Sequence, residues 1–152
     1  MVPLLWPSSR KKKSAAVTAV DASQEALAVA QLNAQQLALD VTFLQSNWFQ
    51  QVNGAFEVIV SNPPYIEAQD PHLAKLQHEP LEALVSGDDG LEDIRILVQQ
   101  AQNHLVNGGW LLLEHGWQQA PQVRALLEAA GYQNVQSKRD LAGIERCSGG
   151  QK

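Results

Sequence analysis

From Ala15 onward, short apolar runs alternate with longer stretches whose apolar positions repeat at helical spacing. That alternation is the pattern of an α/β domain built on a mainly parallel sheet. The run "AVTAVD" predicts a first strand, after which Ser23 stands as a helix N-cap with Glu25 in the first turn. Ala26, Leu27, Ala30 and Leu37 supply the apolar face of that helix. "DVTFLQ" predicts a second strand. Asn53 and Gly54 then make a turn into a third, "FEVIVS", whose nearly continuous apolarity predicts cover on both faces. Further along, the pattern predicts a helix over 91–106 stopped by Asn107-Gly108-Gly109, a buried strand "WLLLEHG", a helix in "QQAPQVRALLEAAG" closed by Gly131, and a last, more polar strand "YQNVQSKRD". Between the third strand and the 91–106 helix lies a long irregular stretch around Asp70, Pro71, His72 and "EPLEAL". Long irregular segments in compact domains tend to carry function, so this one is a candidate substrate loop.

Composition narrows the class. The 152 residues are 45% hydrophobic and 18% charged, as expected of a globular chain, and no apolar run approaches the roughly 20 residues of a membrane span. The net charge of -5 argues against general polyanion binding, which depends on clustered Lys and Arg. A single cysteine, Cys147, excludes an internal disulfide and fits a reducing cytosol, so a cytoplasmic setting without membrane attachment is expected. The start "MVPLLWPSSRKKKSAAV" places apolar residues ahead of the basic cluster, the reverse of a signal peptide. The cluster Arg10 to Lys13 reads as a solvated charge run.

Candidate chemistry gathers where an open α/β sheet binds ligands, at the carboxyl ends of its strands. Asp21 ends the first strand, and a carboxylate there can accept from both hydroxyls of a ribose or cap a helix. Asn47 and Trp48 follow the second strand, and the indole can cover a planar base or seal the sheet edge. Asn62-Pro63-Pro64-Tyr65 follows the third. Proline fixes its own backbone angle, restrains the residue before it and has no N–H, so this loop is stiff and offers a bare carbonyl. With the Asn62 side-chain oxygen, two acceptors can converge on the two hydrogens of one amide or amino group, and the Tyr65 ring can cover it. His72, His78, His104 and His115 form no metal-ligand spacing, and no metal is expected. Asp88, Asp89, Glu92 and Asp93 sit at a helix start, where the helix dipole accounts for them.

"NPPY" resembles the amide-binding motif of S-adenosylmethionine-dependent methyltransferases that act on planar nitrogens. Together with "VTAVD", "LQSNWF", "FEVIVSNPPYIEAQDPHL", "EPLEALVSGDDGL" and "GGWLLLEHGWQQ", it resembles the catalytic domain of the peptide chain release factor glutamine N5-methyltransferases, the HemK or PrmC family, over about 17–146. The resemblance implies a Rossmann-like methyltransferase domain. It implies S-adenosylmethionine as methyl donor, held by Asp21 at the ribose, Trp48 at the pocket wall and Asn62 near the methyl group. It implies Asn62, Pro63, Pro64 and Tyr65 as the grip on the substrate glutamine, with Asn62, Pro63 and Tyr65 as the catalytic set. The implied partners are class I release factors, methylated at the glutamine of their Gly-Gly-Gln motif, with nucleic acid met only through the release factor and ribosome.

The chain also departs from that pattern. A glycine-rich loop of the form Asp-x-Gly-x-Gly-x-Gly, with its strand, stands in the family just ahead of the segment matching "VTAVD". Here "MVPLLWPSSRKKKSA" holds that place with no glycine and with Pro3 and Pro7, which disfavour a central strand. The expectation is a truncated or frame-disrupted homologue, with 1–14 an atypical N-terminal segment and 15–152 a partial catalytic domain lacking the first strand and glycine loop. The ending "ERCSGGQK" is expected to be too polar and glycine-rich for an edge strand. Two alternatives stand beside release factor methylation: a DNA or RNA amino-methyltransferase using the same four-residue motif, and a catalytically inactive remnant serving as a binding module.

Overall fold

The structure, a computed structural model, describes residues 15–71, 73 and 80–152. The segment 1–14 and, within the candidate substrate loop, His72 and the stretch 74–79 with His78 therefore lie outside the described residues. The chain divides into two units, Met1–Asn53 and Gly54–Lys152.

The first unit holds strand β1 (Thr18–Asp21), helix α1 (Gln24–Gln36) and strand β2 (Thr42–Gln45), with β1 and β2 paired in parallel from Thr18↔Thr42 to Asp21↔Gln45. Ser23 caps α1 as its sequence position predicts, its side chain accepting from the Ala26 N–H at 3.2 Å, with Glu25 in the first turn. Leu27 and Ala34 are the helix's buried residues, whereas Leu37 falls on the C-cap and stands 62% exposed. Beyond it, Ala38 takes a left-handed backbone (φ 51°), and the Ala38 and Leu39 N–H groups return to the Gln35 and Ala34 carbonyls. That is a Schellman ending made without glycine.

The second unit is a mixed sheet in the order β3-β4-β6-β5, built from β3 (Phe56–Ser61), β4 (Leu105–Glu114), β5 (Gln133–Arg139) and β6 (Glu145–Gln151). β3 and β4 run parallel, and β6 is antiparallel to both β4 and β5. Helices α2 (Glu92–Ala101) and α3 (Ala120–Ala129) pack on the face that carries Leu111 and Leu113. α2 buries Ile94, Leu97, Val98 and Ala101, one stripe at 3.6-residue spacing, and α3 buries Ala120, Val123 and Leu127. The buried Tyr132 hydroxyl donates to the Val98 carbonyl at 3.0 Å, tying the entry of β5 to α2, and burial pushes its pKa up to about 12.

Three sequence expectations change. The helix over 91–106 ends early: α2 stops at Ala101, a 3-10 turn covers Gln102–His104, and Asn107-Gly108-Gly109 lies inside β4. There the register jumps from Phe56↔Leu105 to Val58↔Trp110, so the glycines form a bulge instead of a helix stop. The polar tail forms β6, and forms it in the sheet interior. A Cβ on Gly149 would stand 2.5 Å from the Leu111 carbonyl and one on Gly150 2.7 Å from the Tyr132 Cβ. The close approach of these backbones therefore demands glycine where composition alone reads as weak strand. Lastly, β3 is less covered than its continuous apolarity predicts, with Val58 and Val60 51% and 57% exposed.

Candidate functional site

β3 delivers the chain to Asn62, which is exposed, then to Pro63, which is buried, and to Pro64 and Tyr65, which are half-buried. Neither the Asn62 side-chain amide nor the Pro63 carbonyl has a hydrogen-bond partner among the described residues. Just past the motif the backbone is pinned: the Ile66 N–H donates to the Leu84 carbonyl at 2.9 Å, the Ser86 N–H to the Ile66 carbonyl at 3.0 Å, and the Ala68 N–H to the Gly87 carbonyl at 3.0 Å. The stiff prolines on one side and this bridge on the other hold Tyr65 in a fixed frame.

Tyr65 is also gripped at both its ends. The Gln119 side-chain amide donates to the Tyr65 carbonyl at 3.0 Å and to the Gly90 carbonyl at 3.2 Å, while its own oxygen accepts from the Gly116 N–H at 2.8 Å. Arg146 donates to the Tyr65 hydroxyl at 3.0 Å, with its guanidinium carbon 5.5 Å from the ring centre, and lies 3.9 Å from the Glu114 carboxylate at the end of β4. Gly90 fits beneath this arrangement with a φ of 69°, and a side chain there would run into the Tyr65 carbonyl and the Gln119 amide. Ahead of α2, Asp89 accepts from the Leu91 N–H at 3.1 Å and pairs with Arg95, whose hydrogen bonds hold the Asp89 carboxyl below its usual range.

Beside the turn that carries Gln119 runs a chain of polar side chains whose inner members, His115 and Ser148, are buried. His115, fully buried, has Nδ1 2.9 Å from the Gly116 carbonyl and Nε2 2.7 Å from the Ser148 hydroxyl. A carbonyl only accepts, so the neutral ring carries its proton on Nδ1, and Ser148 donates to Nε2. Ser137 then donates to Ser148, and Arg124 donates to Ser137 and to Glu145. Burial, the largest influence, lowers the His115 pKa. The folded state thus favours the neutral ring, and the unfolded chain takes up a proton more readily. Stability contributed by His115 is complete above the ordinary imidazole value of about 6.5 and is lost as pH falls below it toward the lowered value. Urea unfolding across this range is expected to give a falling midpoint, together with a histidine resonance that stays neutral below pH 6.5.

In the first unit, Asp21 and the turn from Ser46 to Val52 stand at the same end of the parallel β1–β2 pair. Asp21 Oδ1 accepts from the Ser23 N–H at 2.9 Å, and its second oxygen has no partner among the described residues. The turn after β2 is fixed by the buried Ser46, whose hydroxyl accepts from the Gln51 N–H at 3.0 Å. Within it, half-buried Trp48 adopts a φ of 48°, a costly backbone for a bulky residue and one that gathers at functional sites. Asn47, exposed, precedes it.

The predicted site residues therefore fall into two groups, Asp21 with Trp48 in one unit and Asn62 to Tyr65 in the other. Nothing in local sequence pattern points to Gln119 or Arg146, which meet Tyr65 across 54 and 81 residues of chain.

The sequence matches the family described as MTS, Methyltransferase small domain, over residues 4–87, more than half of the chain. It is 52% identical over 139 residues to the release factor glutamine methyltransferase of Pseudomonas aeruginosa, a match covering 89% of this chain and 50% of that protein. To the release factor glutamine methyltransferase of Escherichia coli K12 it is 48% identical over 136 residues, covering 87% and 49%. The chain spans about half the length of the curated relatives it matches. In fold it is similar to the crystal structure of a methyltransferase from Pyrococcus furiosus, with a TM-score of 0.69 at 20% identity, covering 90% of this chain and 62% of that one.

Proposed function

The chain belongs to the methyltransferase small domain family, and on that premise we propose that it serves protein-glutamine methylation, moving a methyl group from S-adenosylmethionine to the glutamine of the Gly-Gly-Gln motif in class I peptide chain release factors. The observation that carries this reading is a pair of groups at the end of β3 that have no partner among the described residues, the exposed Asn62 amide and the Pro63 carbonyl, set in a loop held by its prolines on one side and by backbone hydrogen bonds on the other. Two acceptors so placed match the two N–H groups of a primary amide. The likeness to release factor glutamine methyltransferases over most of the chain supports the choice of substrate.

The residues at the ends of β1 and β2 suit the donor. Asp21 keeps one carboxylate oxygen for ribose hydroxyls, and Trp48 presents a half-buried indole to a planar base. S-adenosylmethionine, when bound, supplies a methyl group on a positively charged sulfur, and the substrate nitrogen takes it as the carbon–sulfur bond breaks toward sulfur. Asn62 and the Pro63 carbonyl hold the amide hydrogens and so aim its nitrogen. Tyr65 covers the amide plane. Positioning of this kind supplies much of a rate when the nucleophile is weak, as an amide nitrogen is. Once alkylated, that nitrogen is acidic enough to lose its proton to water, so no strong base is needed in the chain. The reading sets the reaction in the cytosol.

Isothermal titration of the purified chain with S-adenosylmethionine, followed by radiolabelled methyl transfer offered to a release factor and to an oligonucleotide together, tests the proposal. Micromolar binding with label entering the release factor alone is expected. Label in the oligonucleotide would redirect the function to nucleic acid, and absence of binding would leave a remnant.

A further inference from the structure

Resting on the glutamine-methylation reading above, we infer that Arg146 and Gln119 are positioning residues that brace Tyr65 from opposite ends and thereby set where the substrate amide is received. Gln119 reaches the Tyr65 carbonyl, and its side chain has one possible orientation there: its oxygen is engaged by the Gly116 N–H, so its NH₂ group must face the carbonyls of Tyr65 and Gly90. Arg146 reaches the other end of the same residue, donating to the phenol oxygen at 3.0 Å and leaning over the ring. Glu114, 3.9 Å away, keeps the guanidinium on that side. The two tethers come from different elements, the N-cap of α3, which packs against β5 and β6, and strand β6 itself. A ring fastened only through its own backbone could swing about its side-chain torsions; one tied at carbonyl and hydroxyl cannot do so without breaking a hydrogen bond. The brace therefore acts on the recognition of the amide through Tyr65, with no contact to the donor-holding residues Asp21 and Trp48 required.

A double-mutant cycle separates this role from a merely structural one. Arg146→Met and Tyr65→Phe are each expected to raise the KM for a Gly-Gly-Gln peptide by about 3–10-fold, the range of a partly exposed charge-assisted hydrogen bond. The double variant is expected to be no worse than the poorer single one. Arg146→Lys should recover part of the loss, and affinity for S-adenosylmethionine should not move. Effects that multiply in the double variant would overturn the proposal. The chain has only two tyrosines, Tyr65 and Tyr132, so the spectrum of ¹³C-tyrosine-labelled protein reads the brace without turnover. Arg146→Met and Gln119→Met should each shift the Tyr65 signals and leave buried Tyr132 in place. Unmoved Tyr65 signals in both variants would refute the brace even in an active enzyme. Lack of peptide methylation by the unaltered chain, with Tyr65 signals that do shift, would sink the glutamine reading and keep the brace.

Discussion

Asn62→Ala is expected to cut methyl transfer to a release factor by about 10²–10³-fold, on the scale seen when one oriented polar group is removed from a reacting centre, while S-adenosylmethionine affinity changes little. Asn62 sits exposed, spends its side chain on no other residue among those described, and stands at the carboxyl end of a parallel strand with a rigid diproline behind it. A group with no structural duty can be removed without unfolding its surroundings, so the loss should appear in transfer and leave the thermal midpoint nearly unchanged. Single-turnover assays beside calorimetric titration check this. A variant that transfers at the unaltered rate would remove Asn62 from the mechanism.

The second large effect is structural and runs through the same loop. Gly90→Ala is expected to lower stability by roughly 2–5 kcal/mol, combining about 1–2 kcal/mol for a left-handed backbone with about 1–3 kcal/mol for overpacking. Gly90 has a φ of 69°, and its added methyl would collide with the Tyr65 carbonyl and stand 2.7 Å from the Gln119 amide nitrogen. Something must move, and both neighbours belong to the Tyr65 brace. Urea unfolding gives the stability change. The surviving folded fraction should also show a raised KM for the Gly-Gly-Gln peptide, unlike a core variant that is merely less stable.

Local chemistry made the candidate substrate grip legible, because Asn-Pro-Pro-Tyr at a strand's end writes its geometry into four consecutive residues. The same holds for Ser23 as an N-cap and for the strand Phe56–Ser61, whose bounds match the apolar run. What local pattern misses depends on neighbours far along the chain. Asn107-Gly108-Gly109 reads as a helix stop in isolation, and only pairing with β3 makes it a bulge. Gly149 and Gly150 weaken a strand in isolation, yet pressed against Leu111 and Tyr132 they are the residues that let β6 enter the sheet. Val58 and Val60 read as doubly covered, whereas cover depends on where helices from elsewhere in the chain come to rest. Gln119 and Arg146 illustrate the same limit at the site, since their partner in contact is tens of residues away in sequence. The second glutamine after "HGW" and an arginine after a glutamate carry no mark of what they will touch.

Fragment-ion mass spectrometry of a class I release factor, after incubation with the purified chain and S-adenosylmethionine, tests glutamine methylation most directly. A single added methyl group is expected on the side-chain nitrogen of the Gly-Gly-Gln glutamine, present with the unaltered chain and nearly absent with Asn62→Ala. An unmodified glutamine, or a methyl group carried on any other residue, would contradict it.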